Sequence, residues 1–163
     1  MKILVTGSAG HLGGEVQITA PRGANDRAWL ALRRALWPDD TEEGELSGMA
    51  DTLARGHHVR LAVTSDGDAV GFVEASKRVD YVNGTSSSPV AFLEGLYVVP
   101  GFRRRGVARA LVESAVQWAG AEGCRELASD SLLSNAAAHA AHRALGFEET
   151  ERVVYFRRPL REV

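Results

Sequence analysis

The sequence predicts a single α+β domain behind a short N-terminal segment, and three observations carry this prediction. The chain has 163 residues, 45% of them hydrophobic and 25% charged, which is the size and composition of about one globular domain. Apolar residues alternate in short stretches, as in half-buried strands, and recur at helical spacing in longer ones. From residue 16 onward the predicted order is β, α, α, β, β, β, α, β, α, β, without an internal repeat.

Capping and turn residues delimit the elements of the first half. Asn25 or Asp26 caps a helix that Pro38 ends. A second helix follows an acidic stretch and extends to about residue 54. Asp66-Gly67 forms a tight turn between two alternating strands. The strands predicted here are residues 16–19, 59–63 and 69–76.

The second half begins with a polar loop, DYVNGTSSSP, and a long apolar strand that stops at Pro100. The next helix has its apolar residues on one face, which predicts that it packs on the sheet. The elements predicted here are strand 90–99, helix 106–121, strand 126–129, helix 135–145 and a final strand 150–157.

Composition excludes several classes of partner. A net charge of −2 and a pI near 6.2 give no basic field for nucleic acid or an anionic membrane. Cys124 is the only cysteine, so the chain forms no internal disulfide. The first residues lack the apolar region of a signal peptide, and no apolar run is long enough to span a membrane. We therefore expect a cytoplasmic protein. His57-His58 lacks further ligands at metal-binding spacing, so no metal is expected.

The N-terminal segment contains a glycine-rich motif. After the apolar Ile3-Leu4-Val5, three glycines have the spacing GxxGxxG: Gly7, Gly10 and Gly13. This resembles the NAD-binding turn of extended short-chain dehydrogenases, but the helix that should follow is replaced by an alternating stretch and Pro21, and no Tyr-x-x-x-Lys pair occurs. We assign residues 1–15 to an extension of unclear role and residues 16–163 to the domain. An NAD-binding module is the less favoured alternative.

The segment LYVVPGFRRRG carries the strongest functional signal. An apolar strand ends at a Pro-Gly turn, three arginines follow, and Gly106 opens an amphipathic helix. The first N–H groups of a helix have no intrahelical partner and favour a bound anion. From the residues alone, a basic helix start with solvated arginines remains an equal alternative.

This segment, followed by Val107-Ala108, resembles the acetyl-CoA loop of the GCN5-related N-acetyltransferases (GNAT family). The ending NAAAHAAHRALGFEETERVVYFRR resembles the closing segment of the same family. The resemblance implies a mixed, twisted sheet with a V-shaped opening between the fourth and fifth strands of the domain, residues 90–99 and 126–129. It also implies acetyl-CoA as cosubstrate. Within the family, LWP, DYVNG, SSPVAFLEGLYV, GCRELASD and ALGFEETERV look like the aminoglycoside 6'-N-acetyltransferases of bacterial drug resistance.

The resemblance also assigns the residues that hold acetyl-CoA. The backbone of Val98 would pair with the pantetheine arm, and Asn135 would contact the cosubstrate from the penultimate helix. The pyrophosphate would lie on the backbone amides of Arg103, Arg104, Arg105, Gly106, Val107 and Ala108.

The acceptor side requires a group that removes a proton, because an alkylammonium cannot attack a thioester. Two carboxylates are candidates, Glu94 within a strand and Asp130 just after one. Their structural alternatives are a solvated sheet face and a turn or helix cap. By resemblance, Asp130 binds the amine and acts as base or orients a water, with Glu94 as its partner. Two aromatic residues are further candidates for contact with the acceptor, Trp37 and Tyr81. Trp37 could equally belong to the core. Tyr81 is expected to reach the acceptor site of a neighbouring subunit in a homodimer.

The family's usual general acid is a tyrosine, and His142 stands at that position in HRALGF. The leaving thiolate could take its proton from His142 or from solvent, and His142 could equally have no catalytic part. The sequence leaves this open. We expect direct acetyl transfer in a ternary complex to the 6'-amine of an aminoglycoside. The alternatives are another amine, such as a polyamine or a protein N-terminus, and a CoA-binding sensor without activity.

Overall fold

The computed structural model describes residues 3–4 and 16–160 and contains a six-stranded mixed sheet flanked by four helices within that part of the chain. The strands are β1 (Ile3–Leu4), β2 (Val16–Thr19), β3 (His58–Thr64), β4 (Ala69–Arg78), β5 (Val90–Val98) and β6 (Leu127–Ala128). The helices are α1 (Arg27–Leu36), α2 (Glu42–Ala54), α3 (Val107–Ala121) and α4 (Ala136–Ala144), with a 3₁₀ turn at Pro100–Phe102.

Strands β2, β3, β4 and β5 are antiparallel neighbours, and β6 and β1 both run parallel to β5 on its remaining edge. The sheet is therefore mixed, as the sequence predicted. The helix starts also follow local sequence: Asp26 caps α1 by accepting hydrogen bonds from the first-turn amides of Ala28 and Trp29. The predicted turn at Asp66-Gly67 joins β3 to β4.

The V-shaped opening lies between β5 and β6. The two strands pair only at Ala91 with Leu127 and at Phe92 with Ala128, although β5 continues to Val98. Further along the same edge, β1 pairs with Leu96 and Tyr97. The opening was predicted, whereas the pairing of an N-terminal strand within it was not. The glycine pattern of the N-terminal segment lies outside the described residues.

Apolar side chains fill both faces of the sheet. One face packs against α3 and α4 through residues such as Leu96, Leu111 and Ala138. The other packs against α1 and α2 around Trp29 and Met49. Burial of such large side chains contributes about 1.5–3 kcal/mol each. The two layers hold β5 rigidly at the centre of the molecule.

The last predicted strand, residues 150–157, is absent: residues 147–160 form no helix or strand. The side chains of Val154, Tyr155 and Phe156 are 76%, 80% and 92% exposed. An apolar stretch becomes a strand only beside an edge with which it can pair, and β6 is two residues long instead of the predicted four. The prediction of strand 150–157 is wrong for the single chain for this reason.

Candidate active site

The turn between β5 and α3 has the geometry of an anion site. Gly106 immediately precedes α3 in the left-handed conformation, with φ 79° and ψ 0° and no side-chain cap. Arg104 is also left-handed, with φ 62°, which non-glycine residues seldom adopt. The first-turn N–H groups of α3, including those of Val107 and Ala108, have no intrahelical acceptor. This 15-residue helix therefore directs N–H groups and the positive end of its dipole at the turn.

Arg103 differs from the solvated arginine that the alternative interpretation required. Its Nε donates to the carbonyl oxygen of Val98 at 2.8 Å, and its Cζ lies 5.7 Å from the centre of the Tyr97 ring. Its Nη2 is buried and has no hydrogen-bond partner among the residues that the structure describes. A buried guanidinium nitrogen without an acceptor fits an anionic ligand. The N–H of Arg103 donates to the Pro100 carbonyl at 3.3 Å, so this amide is less available than the sequence suggested.

Asn135 caps α4, which begins one residue later than the predicted helix. Its Oδ1 accepts from the N–H of Ala138 at 3.0 Å. The amide nitrogen of the same side chain donates to no described residue, so the capping role leaves a donor for the cosubstrate.

Glu94 lies on a β-bulge in β5. Gly95 pairs with Glu74 and Leu93 pairs with Ala75, so Glu94 is the extra residue opposite β4. Bulges re-aim side chains and are frequent next to active sites. The Glu94 side chain is one-third exposed (32%), which excludes the fully solvated sheet face as its setting.

Asp130 and Glu94 flank the opening. Each lies two residues beyond the last pair that joins the two strands, Phe92 and Ala128. Asp130 is exposed. Glu94 and Asp130 thus stand on the two strands at the point where β5 and β6 separate.

Trp37 is half-buried at the end of α1 beside this site. A Cβ on Gly95 would lie 2.7 Å from Cη2 of Trp37, so the indole rests directly on the backbone of β5. Its ring also meets the Phe72 ring at 5.9 Å in an edge-on arrangement, and the Cζ of Arg33 lies 4.7 Å from its centre. The structure thus shows the packed Trp37 of the core alternative, next to Glu94, and contact with the acceptor stays a prediction.

Behind Trp37 lies a buried charge cluster that sequence reasoning missed. Arg33 donates to both carboxylate oxygens of Glu74 at 2.6 and 2.7 Å and to Glu45 at 2.5 Å. The Nε1 of Trp29 also donates to Glu74. Burial raises the pKa of Glu74, although Arg33 opposes the effect. The only sequence signal was the apolar setting of Glu74, and the cluster fixes α1 and α2 to β4.

His142 is arranged as a proton acceptor in its neutral form. Nδ1 lies 2.7 Å from the Ala138 carbonyl oxygen, which can only accept, so Nδ1 carries the proton. Nε2 therefore accepts from the hydroxyl of Ser129 at 2.8 Å. Burial lowers the pKa of His142 and favours this neutral form. The geometry disfavours His142 as the acid that protonates a thiolate.

Tyr81 is 78% exposed in the polar loop and contacts no acceptor-site residue of its own chain. Gly84, in the same loop, has a φ of 76°, and a Cβ there would collide with the side chain of Thr150. The loop therefore lies against the start of the exposed C-terminal segment. In residues 16–160 no three His, Cys, Asp or Glu side chains converge as a metal site. No helix of this part is long and apolar enough to cross a membrane.

The model of the acetyltransferase (GNAT) family matches residues 29–147. The sheet that opens beside a glycine-started helix and the anion-binding turn agree with this match, and the chain belongs to the acetyltransferase (GNAT) family. Within it, the chain groups with the aminoglycoside N(6')-acetyltransferases of type 1. The enzyme of that name from Stenotrophomonas maltophilia is 56% identical over 139 residues, which cover 84% of this chain and 89% of the relative.

Solved structures agree. The aminoglycoside N-acetyltransferase AAC(6')-Iy in complex with CoA has a TM-score of 0.84 and 42% identity, covering 90% of this chain and 96% of that one. AAC(6')-Ih from Acinetobacter baumannii has a TM-score of 0.84 and 46% identity, covering 89% and 99%. AAC(6')-Iy has also been solved with a bisubstrate analogue, CoA-S-monomethyl-acetylneamine, at a TM-score of 0.81 and 41% identity over 90% of this chain and 99% of that one.

Proposed function

We propose that this chain transfers the acetyl group of acetyl-CoA to the 6'-amine of aminoglycoside antibiotics, an activity that confers resistance. The observation that carries the proposal is the pairing of an anion-binding turn with two carboxylates across one opening of the sheet, at Glu94 and Asp130. The relatives bear this activity in their names. Acetyl-CoA is the cosubstrate, and AAC(6')-Iy is known with CoA bound.

The proposed reaction is a direct transfer in a ternary complex. Amides at the start of α3 bind the pyrophosphate, with the buried nitrogen of Arg103 as a further donor. Asp130 holds the 6'-ammonium and, directly or through a water, receives one proton, so that the neutral amine attacks the thioester carbonyl. A backbone amide near Val98 stabilises the oxyanion. The nitrogen then releases its second proton to solvent as the C–S bond breaks, and the thiolate takes a proton from solvent. Cys124 is buried and forms no covalent intermediate.

Thiol release from acetyl-CoA tests the proposal. Release should require a 6'-amino aminoglycoside and should be absent with an analogue that carries a 6'-hydroxyl. Asp130→Asn should lower kcat/KM by at least about 10-fold, because loss of an acid–base group costs about 10²–10⁴-fold. Asp68→Asn removes a charge from an exposed turn residue and is the matched control. Equal rates for Asp130→Asn and wild type would remove Asp130 from the mechanism, and release driven by polyamines or peptides would indicate another amine.

We further propose a cytoplasmic homodimer. The C-terminal segment carries Tyr155 and Phe156 at 80% and 92% exposure, and Tyr81 is exposed in the neighbouring loop. Contiguous exposed apolar residues of this kind mark protein interfaces, and an unpaired segment of β-branched and aromatic residues suits strand pairing with a second copy.

Sedimentation analysis tests the dimer. The molecular mass of the wild type from sedimentation should be twice that of the monomer. The double variant Tyr155→Asp/Phe156→Asp should have the mass of a monomer. Val116→Asp, which places the same charge on a partly exposed residue of α3, should remain dimeric. A monomeric wild type would refute the dimer, and recovery of the enzyme from the periplasm would refute the location.

A further inference from the structure

Glu94 is bound through one oxygen only. Ser76 Oγ donates to its Oε1 at 2.5 Å, and Arg78 Nη2 donates to the same Oε1 at 2.8 Å. Among the described residues, Oε2 of Glu94 accepts no hydrogen bond. The carboxylate is thus oriented by β4 and leaves its second oxygen for a ligand at the opening.

Arg78 is held in place beside this carboxylate. Its Cζ lies 3.5 Å from the centre of the Phe92 ring, a cation–π contact that restrains the guanidinium. The Arg78 and Glu94 side chains are 40% and 32% exposed, so the pair lies at the surface of the site. A guanidinium has five N–H donors, and the contact with Glu94 uses Nη2.

The Arg78–Glu94 pair interacts differently with a hydroxyl and with an ammonium group of a ligand. A ligand hydroxyl can donate to Glu94 Oε2 and accept from Arg78, because a hydroxyl has both functions. An ammonium has only donors and a positive charge, which the guanidinium repels at close range. Asp130 follows β6, two residues beyond the last pair that joins β5 to β6.

We infer that Arg78 is a specificity-determining residue: it converts Glu94 from an ammonium site into a hydroxyl site within the acceptor pocket. The inference rests on the proposed aminoglycoside activity. In that setting Asp130 receives the amine to be acetylated, and the Arg78–Glu94 pair selects acceptors with a hydroxyl, instead of a second amine, at the neighbouring position of the ring.

The test compares two 6'-amino aminoglycosides that differ only in carrying a hydroxyl or an amine at one other position of the same ring. The wild type should have the higher kcat/KM for the hydroxyl form. Arg78→Met should shift the ratio of the two kcat/KM values towards the amine form by at least about 10-fold, equivalent to about 1.4 kcal/mol. Arg78→Lys retains the charge and should keep the wild-type preference.

Lys77→Met is the matched control. It removes the same charge from the adjacent residue of β4, whose Nζ is bound 2.6 Å from Glu122. It should leave the ratio unchanged. An unchanged ratio in Arg78→Met, or the same shift in Arg78→Lys, would overturn the inference while the acetylation itself stands. A wild type that acetylates neither compound would instead refute the proposed function.

Discussion

The substitution Gly95→Ala should displace Trp37, which lies next to Glu94, without changing any charged residue. The new Cβ would lie 2.7 Å from Cη2 and 3.0 Å from Cζ2 of Trp37, and 3.4 Å from Cδ2 of Leu36. Carbon atoms pack at about 3.5–4.0 Å, so the indole must move by roughly 1 Å. Phe72 at 5.9 Å and Arg33 at 4.7 Å restrict its retreat. Overpacking of this kind costs about 1–3 kcal/mol.

Two measurements follow from this displacement. The Tm should fall by about 2–12 °C, since the cost is about 1–3 kcal/mol and 1 kcal/mol is worth about 2–4 °C in a domain of this size. The kcat/KM for the aminoglycoside should fall by about 10-fold or more, because misplacement by 1 Å can cost up to about 10²-fold, while the KM for acetyl-CoA stays within about 2-fold. Gly120→Ala, with no atom within 4 Å of the new Cβ, is the control and should retain wild-type kinetics. If the Gly95→Ala enzyme has unchanged Tm and acceptor kinetics, Trp37 does not pack on Gly95 as described.

Four further outcomes are expected. Gly106→Ala should raise the KM for acetyl-CoA and lower stability by about 1–2 kcal/mol, measured by kinetics and urea unfolding, because φ is 79° there. Arg33→Met should cost about 3–5 kcal/mol in urea unfolding, since it leaves the buried carboxylates of Glu45 and Glu74 without a cation. Burial lowers the pKa of His58 to about 4, so the unfolded chain binds its proton first as pH falls. Stability should therefore decline between pH 6.5 and 4 by up to about 3 kcal/mol, and His58→Gln should flatten this decline in pH-dependent melting. Deletion of residues 1–15 should lower the KM for acetyl-CoA, measured by initial rates.

Local features were predictable from the sequence, and pairings between distant residues were not. The cap at Asp26 and the glycine before α3 depend on neighbouring residues, so their patterns were sufficient. The bulge at Glu94 depends on a register shift against β4, which no local pattern reveals. The cluster joins Arg33 to Glu74 across 41 positions of the chain. The strand at 150–157 was predicted from its local sequence and from the family resemblance, and neither supplies the partner strand that the single chain lacks.

The lower KM for acetyl-CoA that is expected after deletion of residues 1–15 follows from the pairing of β1 with the edge of β5. Beyond Phe92, β6 no longer pairs with β5, and β1 pairs instead at Leu96 and Tyr97. The family resemblance places the amides of the pantetheine arm next to Val98, on the adjoining part of this edge. We expect a cosubstrate bound there to compete with β1 for this edge, so the free energy of that pairing is subtracted from the free energy of binding. Net backbone hydrogen bonds contribute about 0.5–1.5 kcal/mol each, so about two bonds from the two-residue strand should weaken acetyl-CoA binding by roughly 5- to 150-fold. A deletion variant with an unchanged or higher KM for acetyl-CoA would mean that β1 and the cosubstrate do not compete for this edge.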